Sequence, residues 1–320
     1  MELIKTKGMT RDEWLAARRM GIGGSDVAAI LGHDPYRSPV DVWLDKMGVS
    51  DDSEKEWMYW GSIHEEVIAR EYAKRQSCKV QRFNFMMHQD CLIGDVDRLV
   101  SIDGSSPVVR GDIRTDLMLE CKTANAYKAN EWGQEGTDDI PRQYIFQCLH
   151  YLGLTGCAYC DVAVLIGGST FKRFRINSDR EIIGRIQEAC QKWWVDHIKA
   201  ETAPGPRNQH DVNRLFGRPI QKQIQGTAEH HVQALKFKKY QKEIKELQRK
   251  QDDIKLELCS HMEEATKLVA PGGNVLATWT EGNKRTDWKA LAQELMAGED
   301  HSDLIAKHTK QGDRIFRAKV

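Results

Sequence analysis

The last third of the chain carries the simplest pattern. From residue 228 onward, Tyr240, Ile244, Leu247, Ile254 and Leu258 recur at spacings of three, four or seven. The positions between them are mostly Lys, Glu, Gln, Arg and Asp. This spacing predicts a long amphipathic helix with one narrow apolar seam. Pro271-Gly272-Gly273-Asn274 closes it with a turn. Val275–Thr280 then reads as a strand, Asp287–Met296 as a short helix and Arg314–Val320 as a final strand. Upstream, periods of 3.6 and 2 alternate. Helices are predicted over 10–20, 25–32, 39–47, 59–76, 138–154 and 179–200, and strands near 79–87, 91–101, 116–123, 160–166 and 170–176. That order predicts an α/β (α+β) fold, a central mixed β-sheet flanked by helices with a helical C-terminal extension. The Pro-, Gly-, Asn- and Gln-rich stretch 204–227 separates the parts. The expected organisation is a core over 1–205, a linker or crossing segment over 206–227 and the extension over 228–320.

Charge changes the picture by exclusion. Lys+Arg and Asp+Glu are both 47, a formal net charge of zero. Bulk basicity is therefore not how this chain would hold a polyanion, whereas a local basic channel remains compatible. No apolar run approaches the roughly 18 residues of a membrane helix, and Met1–Lys7 has no apolar signal segment. Eight scattered cysteines in a chain of 320 residues read as free thiols of a reducing cytoplasm. Cys157-Ala158-Tyr159-Cys160 lacks two further ligands at metal spacing and enters an apolar strand, so it reads as core. His230-His231 reads as the solvated start of the long helix, and Trp193-Trp194 as packing. Lys236, Lys238, Lys239, Lys242 and Lys245 form either a solvated helix face or a surface for DNA backbone or a partner.

The chemistry concentrates in Leu117-Met118-Leu119-Glu120-Cys121-Lys122-Thr123. In a strand, Glu120 and Lys122 share a face and Cys121 opposes them. Ile93-Gly94-Asp95-Val96-Asp97-Arg98-Leu99-Val100 reads as a second apolar strand bearing acids. Two strands that bring carboxylates together suit a hard divalent cation such as Mg²⁺ or Mn²⁺. A lysine beside such a cation orients or deprotonates water or stabilises phosphoryl charge, which is phosphodiester hydrolysis. Trp60-Gly61-Ser62-Ile63-His64-Glu65 reads as the opening of a helix that offers Glu65 as a third carboxylate. Gln147 and Tyr151 lie four apart, on one helix face. Arg18-Arg19 precedes the glycine-rich turn Gly21–Gly24, with Ser25 as the expected N-cap of the following helix. An arginine, a hydroxyl and a helix N-terminus together suit an anion.

In this order, over roughly residues 10–200, the segments resemble the lambda-exonuclease-type (YqaJ-like) phage recombination exonucleases of the PD-(D/E)xK nuclease superfamily. The resemblance implies a Mg²⁺-dependent enzyme, with Mn²⁺ as substitute, that digests one strand of linear double-stranded DNA from its 5′ end. It would release mononucleotides and leave a 3′ overhang for a single-strand annealing protein. The resemblance also implies a homotrimeric ring. By residue, it implies that Asp97 and Glu120 hold the metal with the Cys121 carbonyl, and that Lys122 positions or activates water. Glu65 completes the metal or water side and Gln147 orients the nucleophile. Arg18 and Ser25 receive the 5′ phosphate, with Arg19 as the alternative arginine. The stretch 101–115, an apparent hairpin insertion, leaves Asp95 and Asp116 as alternatives to Asp97, and His64 before the helix acid leaves Glu66 as an alternative to Glu65. An endonuclease of the same fold and a catalytically degenerate DNA-binding module are the competing readings.

Overall fold

The computed structural model describes residues 1–49, 56–218 and 220–281. The helix expected over 287–296 and the strand over 314–320 lie outside the described residues. The chain divides into two compact units, Met1–Leu215 and Phe216 onward.

In the first unit, β1 (Glu2–Lys5) is followed by α1 (Arg11–Arg19), α2 (Gly24–Leu31), α3 (Pro39–Lys46) and α4 (Glu56–Gln76). Six short strands come next: β2 (Lys79–Gln81), β3 (Phe85–Gln89), β4 (Leu92–Gly94), β5 (Arg98–Ser101), β6 (Val108–Val109) and β7 (Asp112–Ile113). Then come β8 (Leu117–Ala124), α5 (Arg142–Thr155), β9 (Tyr159–Ile166), β10 (Thr170–Asn177), α6 (Arg180–Trp193) and α7 (Gln209–Phe216). The main sheet has the order β10-β9-β8-β5-β2, with β8 and β9 parallel and the other pairs antiparallel. It is thus a central mixed sheet flanked by helices. The parallel step is bridged by α5, the crossover such a connection requires.

Both faces of the sheet are covered. Met118, Val162, Val164, Phe174 and Cys148 pack in the larger core, on the side of α2, α5 and α6. Leu117, Leu119 and Ala163 face Ile68 and Tyr72 of α4. Central strands buried on both faces read as near-continuous apolar runs, which is how β9 appears in the sequence. Thr10 and Ser38 cap α1 and α3, and each accepts from the backbone N–H three residues on.

Two predicted strands are interrupted. The run 79–87 breaks at residues 82–84, and 91–101 breaks at residues 95–97. On one side of the breaks, β3 and β4 join β1 in a three-stranded sheet; on the other, β2 and β5 enter the main sheet. The periodicity marked each run as extended but carried no signal for the bend. β1, an edge strand with little burial, was not predicted. The insertion 101–115 does contain a small hairpin, β6–β7. The segment expected as a linker contains α7, whose Asp211 accepts hydrogen bonds from Ser38 Oγ (2.7 Å) and the Arg207 N–H (2.8 Å). The helix expected over 179–200 ends in a wider-wound turn at Trp194–Lys199. Trp193 is buried in the core, as expected.

The second unit contains α8 (Ala228–Met262) and the hairpin β11 (Lys267–Val269)–β12 (Val275–Thr278). α8 opens on a Thr227–His230 capping interaction, so His230 serves the helix start.

Candidate active site

The bends at 82–84 and 95–97 have a consequence for chemistry. Where β4 gives way to β5, Asp97 leaves the ladder and its Oδ2 accepts the N–H of Cys121 at 2.8 Å. Asp95 is held on the other side by the indole N–H of Trp14, at 2.8 Å. Had Ile93–Val100 run straight, its side chains would have alternated between faces and missed this arrangement.

Glu120, Lys122 and Gln147 form a closed triangle. Lys122 Nζ donates to Glu120 Oε1 (2.6 Å) and to Gln147 Oε1 (3.1 Å), while Gln147 Nε2 donates to Glu120 Oε1 (2.6 Å). Even-numbered residues of β8 face α5, so the shared face of Glu120 and Lys122 is realised. One helical turn beyond Gln147, Tyr151 lies within 3.5 Å through its hydroxyl. Gly24 makes room for this: a Cβ there would sit 2.7 Å from the Tyr151 ring and 2.9 Å from Gln147 Cγ. An alanine would push α2 off α5.

These side chains line a cavity of about 640 Å³, together with Arg18, Ser25, Glu65, Asp95 and Cys121. Arg19 and Asp116 do not line it, and neither does Glu66. Asp116 sits at the opposite end of β8, where its carbonyl accepts the N–H groups of Ala158 and Tyr159. Glu65 and Glu66 are both held by Arg98, whose side chain is buried between α4 and β5. Glu65 lies on the third turn of α4, not at its opening, because that helix already begins at Glu56.

The electrostatics are unbalanced. Burial, then the neighbouring Glu120 and Glu65 charges, push the Asp97 carboxyl well above the ordinary range. Burial raises Glu120 as well, although Lys122 opposes the shift. Burial works against the Lys122 ammonium, but Glu120 and Asp97 together hold it above the usual lysine range. One cation therefore serves the buried Glu120 and the half-buried Asp97, and that deficit favours a further positive charge.

In the same cavity, Arg18 Nη2 donates to Ser25 Oγ at 2.8 Å and its guanidinium lies 4.9 Å from the Trp14 ring centre. Ser25 is not the N-cap. That position is Gly23, whose N–H is accepted by Asp26 at 3.0 Å, which leaves the Ser25 hydroxyl in the first turn facing Arg18. Asp26, which follows Ser25 and to which the sequence assigns no role, is buried among Lys46 (2.7 Å), Arg37 (2.9 Å) and Arg18 (4.0 Å). Lys46 also donates to the Arg18 carbonyl at 2.9 Å. The sequence assigns Arg98 no role either; its only signal there is a charge inside an apolar run.

The eight cysteines are free. Cys157 and Cys160 are buried in the core, in keeping with the reading of that pair. No helix among the described residues is long and apolar enough to cross a membrane.

Fold and site together define a mixed α/β protein with a buried acid–lysine–glutamine cluster beside an arginine–serine pocket. The family model of the YqaJ-like viral recombinase domain matches residues 13–158. The protein YqaJ of Bacillus subtilis (strain 168) is 32% identical over 306 residues, covering 91% of this chain and 90% of that one. The chain belongs to the YqaJ-like viral recombinase family. Among solved structures, an alkaline exonuclease (LHK-Exo) from Laribacter hongkongensis has a TM-score of 0.46 at 18% identity, over 59% of this chain and 93% of that one. A phage related exonuclease from Haemophilus somnus 129PT has a TM-score of 0.42 at 12% identity, over 59% of this chain and all of that one (100%).

Proposed function

We propose that this protein is a Mg²⁺-dependent 5′-to-3′ exonuclease of linear double-stranded DNA. It degrades one strand to mononucleotides and leaves a 3′ single-stranded overhang for phage-type recombination by strand annealing. The observation that carries the proposal is one cavity lined by Asp97, Glu120, Lys122 and Gln147 and by the Arg18–Ser25 pair. Membership of a viral recombinase family supports it.

The donor set fits a hard cation. Two converging carboxylates with one neutralising ammonium supply oxygen ligands and a charge deficit. Among the described residues no three acid, histidine or cysteine side chains form a ready-made cage. The Cys121 carbonyl, water and the substrate phosphate would complete the shell, as suits Mg²⁺, which keeps several of its waters. When bound, Mg²⁺ or Mn²⁺ would supply Lewis-acid charge for an in-line displacement at phosphorus. Asp97 and Glu120 hold that position. Lys122 and Gln147, already hydrogen bonded to Glu120, orient the attacking water. Glu65 lines the same cavity, fixed by Arg98. Arg18 and Ser25 take the 5′-terminal phosphate, and Lys46 and Asp26 fix the backbone and charge around Arg18. A homotrimeric ring, a single-strand annealing partner and the cytoplasm of a bacterial or phage-infected cell complete the proposal.

The test is digestion of linear duplex labelled separately at each end, as 5′-phosphate and 5′-hydroxyl forms, with Mg²⁺ or EDTA and a closed circle as control. Mg²⁺-dependent mononucleotide release from the 5′-phosphorylated end, with the circle intact, is expected. Cutting of the circle would replace the proposal with an endonuclease. Binding without cleavage would replace it with a DNA-binding module.

A further inference from the structure

α8 is 35 residues long, about 50 Å at 1.5 Å per residue. Every residue from Lys239 to Leu258 is exposed. Its apolar seam is exposed with the rest: Tyr240 by 57%, Ile244 by 53%, Leu247 by 63% and Ile254 by 59%. A helix of this kind draws its stability from packing an apolar stripe, and a row of large apolar side chains in water marks an interaction surface.

The seam has the alternating four–three spacing of a coiled coil. Ile244, Gln251 and Leu258 occupy one core position of the heptad, and Tyr240, Leu247 and Ile254 the other. Beside the seam, the flanking position holds Lys236, Glu243, Lys250 and Glu257, with the sign alternating every seven residues. The opposite flank holds Gln241, Gln248 and Lys255.

We infer that α8 pairs antiparallel with α8 of a second copy of this chain. In an antiparallel pair the alternating flank faces itself. With Ile244 against Leu247 of the second copy, Lys236 meets Glu257, Glu243 meets Lys250, and both contacts recur by symmetry. In the same register Tyr240 faces Gln251, so the polar atoms in the seam share a layer. A shift of one heptad in one direction sets Glu243 against Glu257 and Lys250 against itself. In the other direction Lys236 meets Lys250 and Glu243 meets itself. A parallel in-register pair has no opposite-charge contact among these positions and sets Lys250 against Lys255. Charge thus selects both orientation and register. Within one helix Glu243 lies 3.7 Å from Lys239, and Lys250 3.1 Å from Glu246. Such exposed contacts are weak and are readily shared with a partner.

The experiment measures self-association of the full chain by sedimentation equilibrium. Glu243→Lys and Lys250→Glu are each expected to weaken it roughly tenfold, because each turns two attractive contacts repulsive. An equimolar mixture of the two variants recovers the association, because each then supplies the charge the other lacks. Leu247→Asp abolishes the α8 contribution whatever assembly the rest of the chain makes. Association unchanged by Leu247→Asp, or a mixture no tighter than the separate variants, would overturn the pairing. A wild-type chain whose α8 is covered from within would give the first of these results.

Discussion

The parallel pair β8–β9 carries a buried acid on each face, and the two are treated differently. On the face toward α4, Asp161 accepts from Tyr72 Oη (2.6 Å), twice from Arg175 (2.6 and 2.9 Å) and from Arg173 (3.2 Å). One carboxylate has two cations and a hydroxyl. On the face toward α5, Glu120 and its neighbour Asp97 share the single ammonium of Lys122. Burying an acid costs several kcal/mol unless its charge is matched. The first site is matched and acts as scaffold, tying α4 to the sheet. The second is left short of positive charge at the place where, in the proposed function, a phosphodiester and its cation would arrive. The deficit, not the burial, distinguishes a site built to react from one built to hold.

Removing one of the under-matched acids should damage chemistry and spare the fold. Asp97→Asn is expected to lower duplex cleavage by at least about 10³-fold while melting in EDTA no lower than wild type. A lower melting temperature would show that Asp97 belongs with the scaffold acids. The opposite is expected at the matched site. Asp161→Ala should cost about 3 kcal/mol in a denaturant titration, with the cleavage rate per folded molecule unchanged. Arg18→Ala removes a charge-assisted contact to an anion. It should reduce the preference for a 5′-phosphorylated over a 5′-hydroxyl end by about 1.5–3 kcal/mol, read from the two digestion rates.

The smallest effect sharpens the comparison at a third buried acid. Burial opposes the charge on Asp26, but Lys46, Arg37 and Arg18 hold its carboxyl far below the ordinary value of 3.8. An acid with a depressed pKa stabilises the fold above its unfolded value, and that contribution fades as pH falls toward the depressed one. The penalty of Asp26→Asn should therefore be full at pH 7 and smaller by about 1 kcal/mol at pH 3, measured by urea unfolding at both. A penalty that grows in acid would reverse the assignment.

The portions legible in the sequence were those set by local spacing. Glu120 and Lys122 share a face because strands alternate, and Gln147 and Tyr151 share one because helices return every four residues. The long seam of α8 was visible for the same reason. Non-local features were not legible. The bend at residues 95–97 depends on Asp97 capturing the Cys121 N–H from another strand. Arg98, Asp161 and Asp26 are ordinary charges in the sequence, and only the approach of α4, β10 and α3 gives them partners. A hydroxyl after glycines suits an N-cap, so the sequence points to Ser25 for that role. Gly23 holds the position because Asp26 accepts its N–H. Spacing alone does not separate Arg18 from Arg19, and the cavity takes the former.

The measurement closest to the central claim is the digestion of 5′-phosphorylated linear duplex in Mg²⁺ by wild type and Asp97→Asn, after both are shown to be folded in EDTA. The account predicts mononucleotide release by the wild type and none above the EDTA background by the variant. Release by Asp97→Asn at the wild-type rate would contradict it.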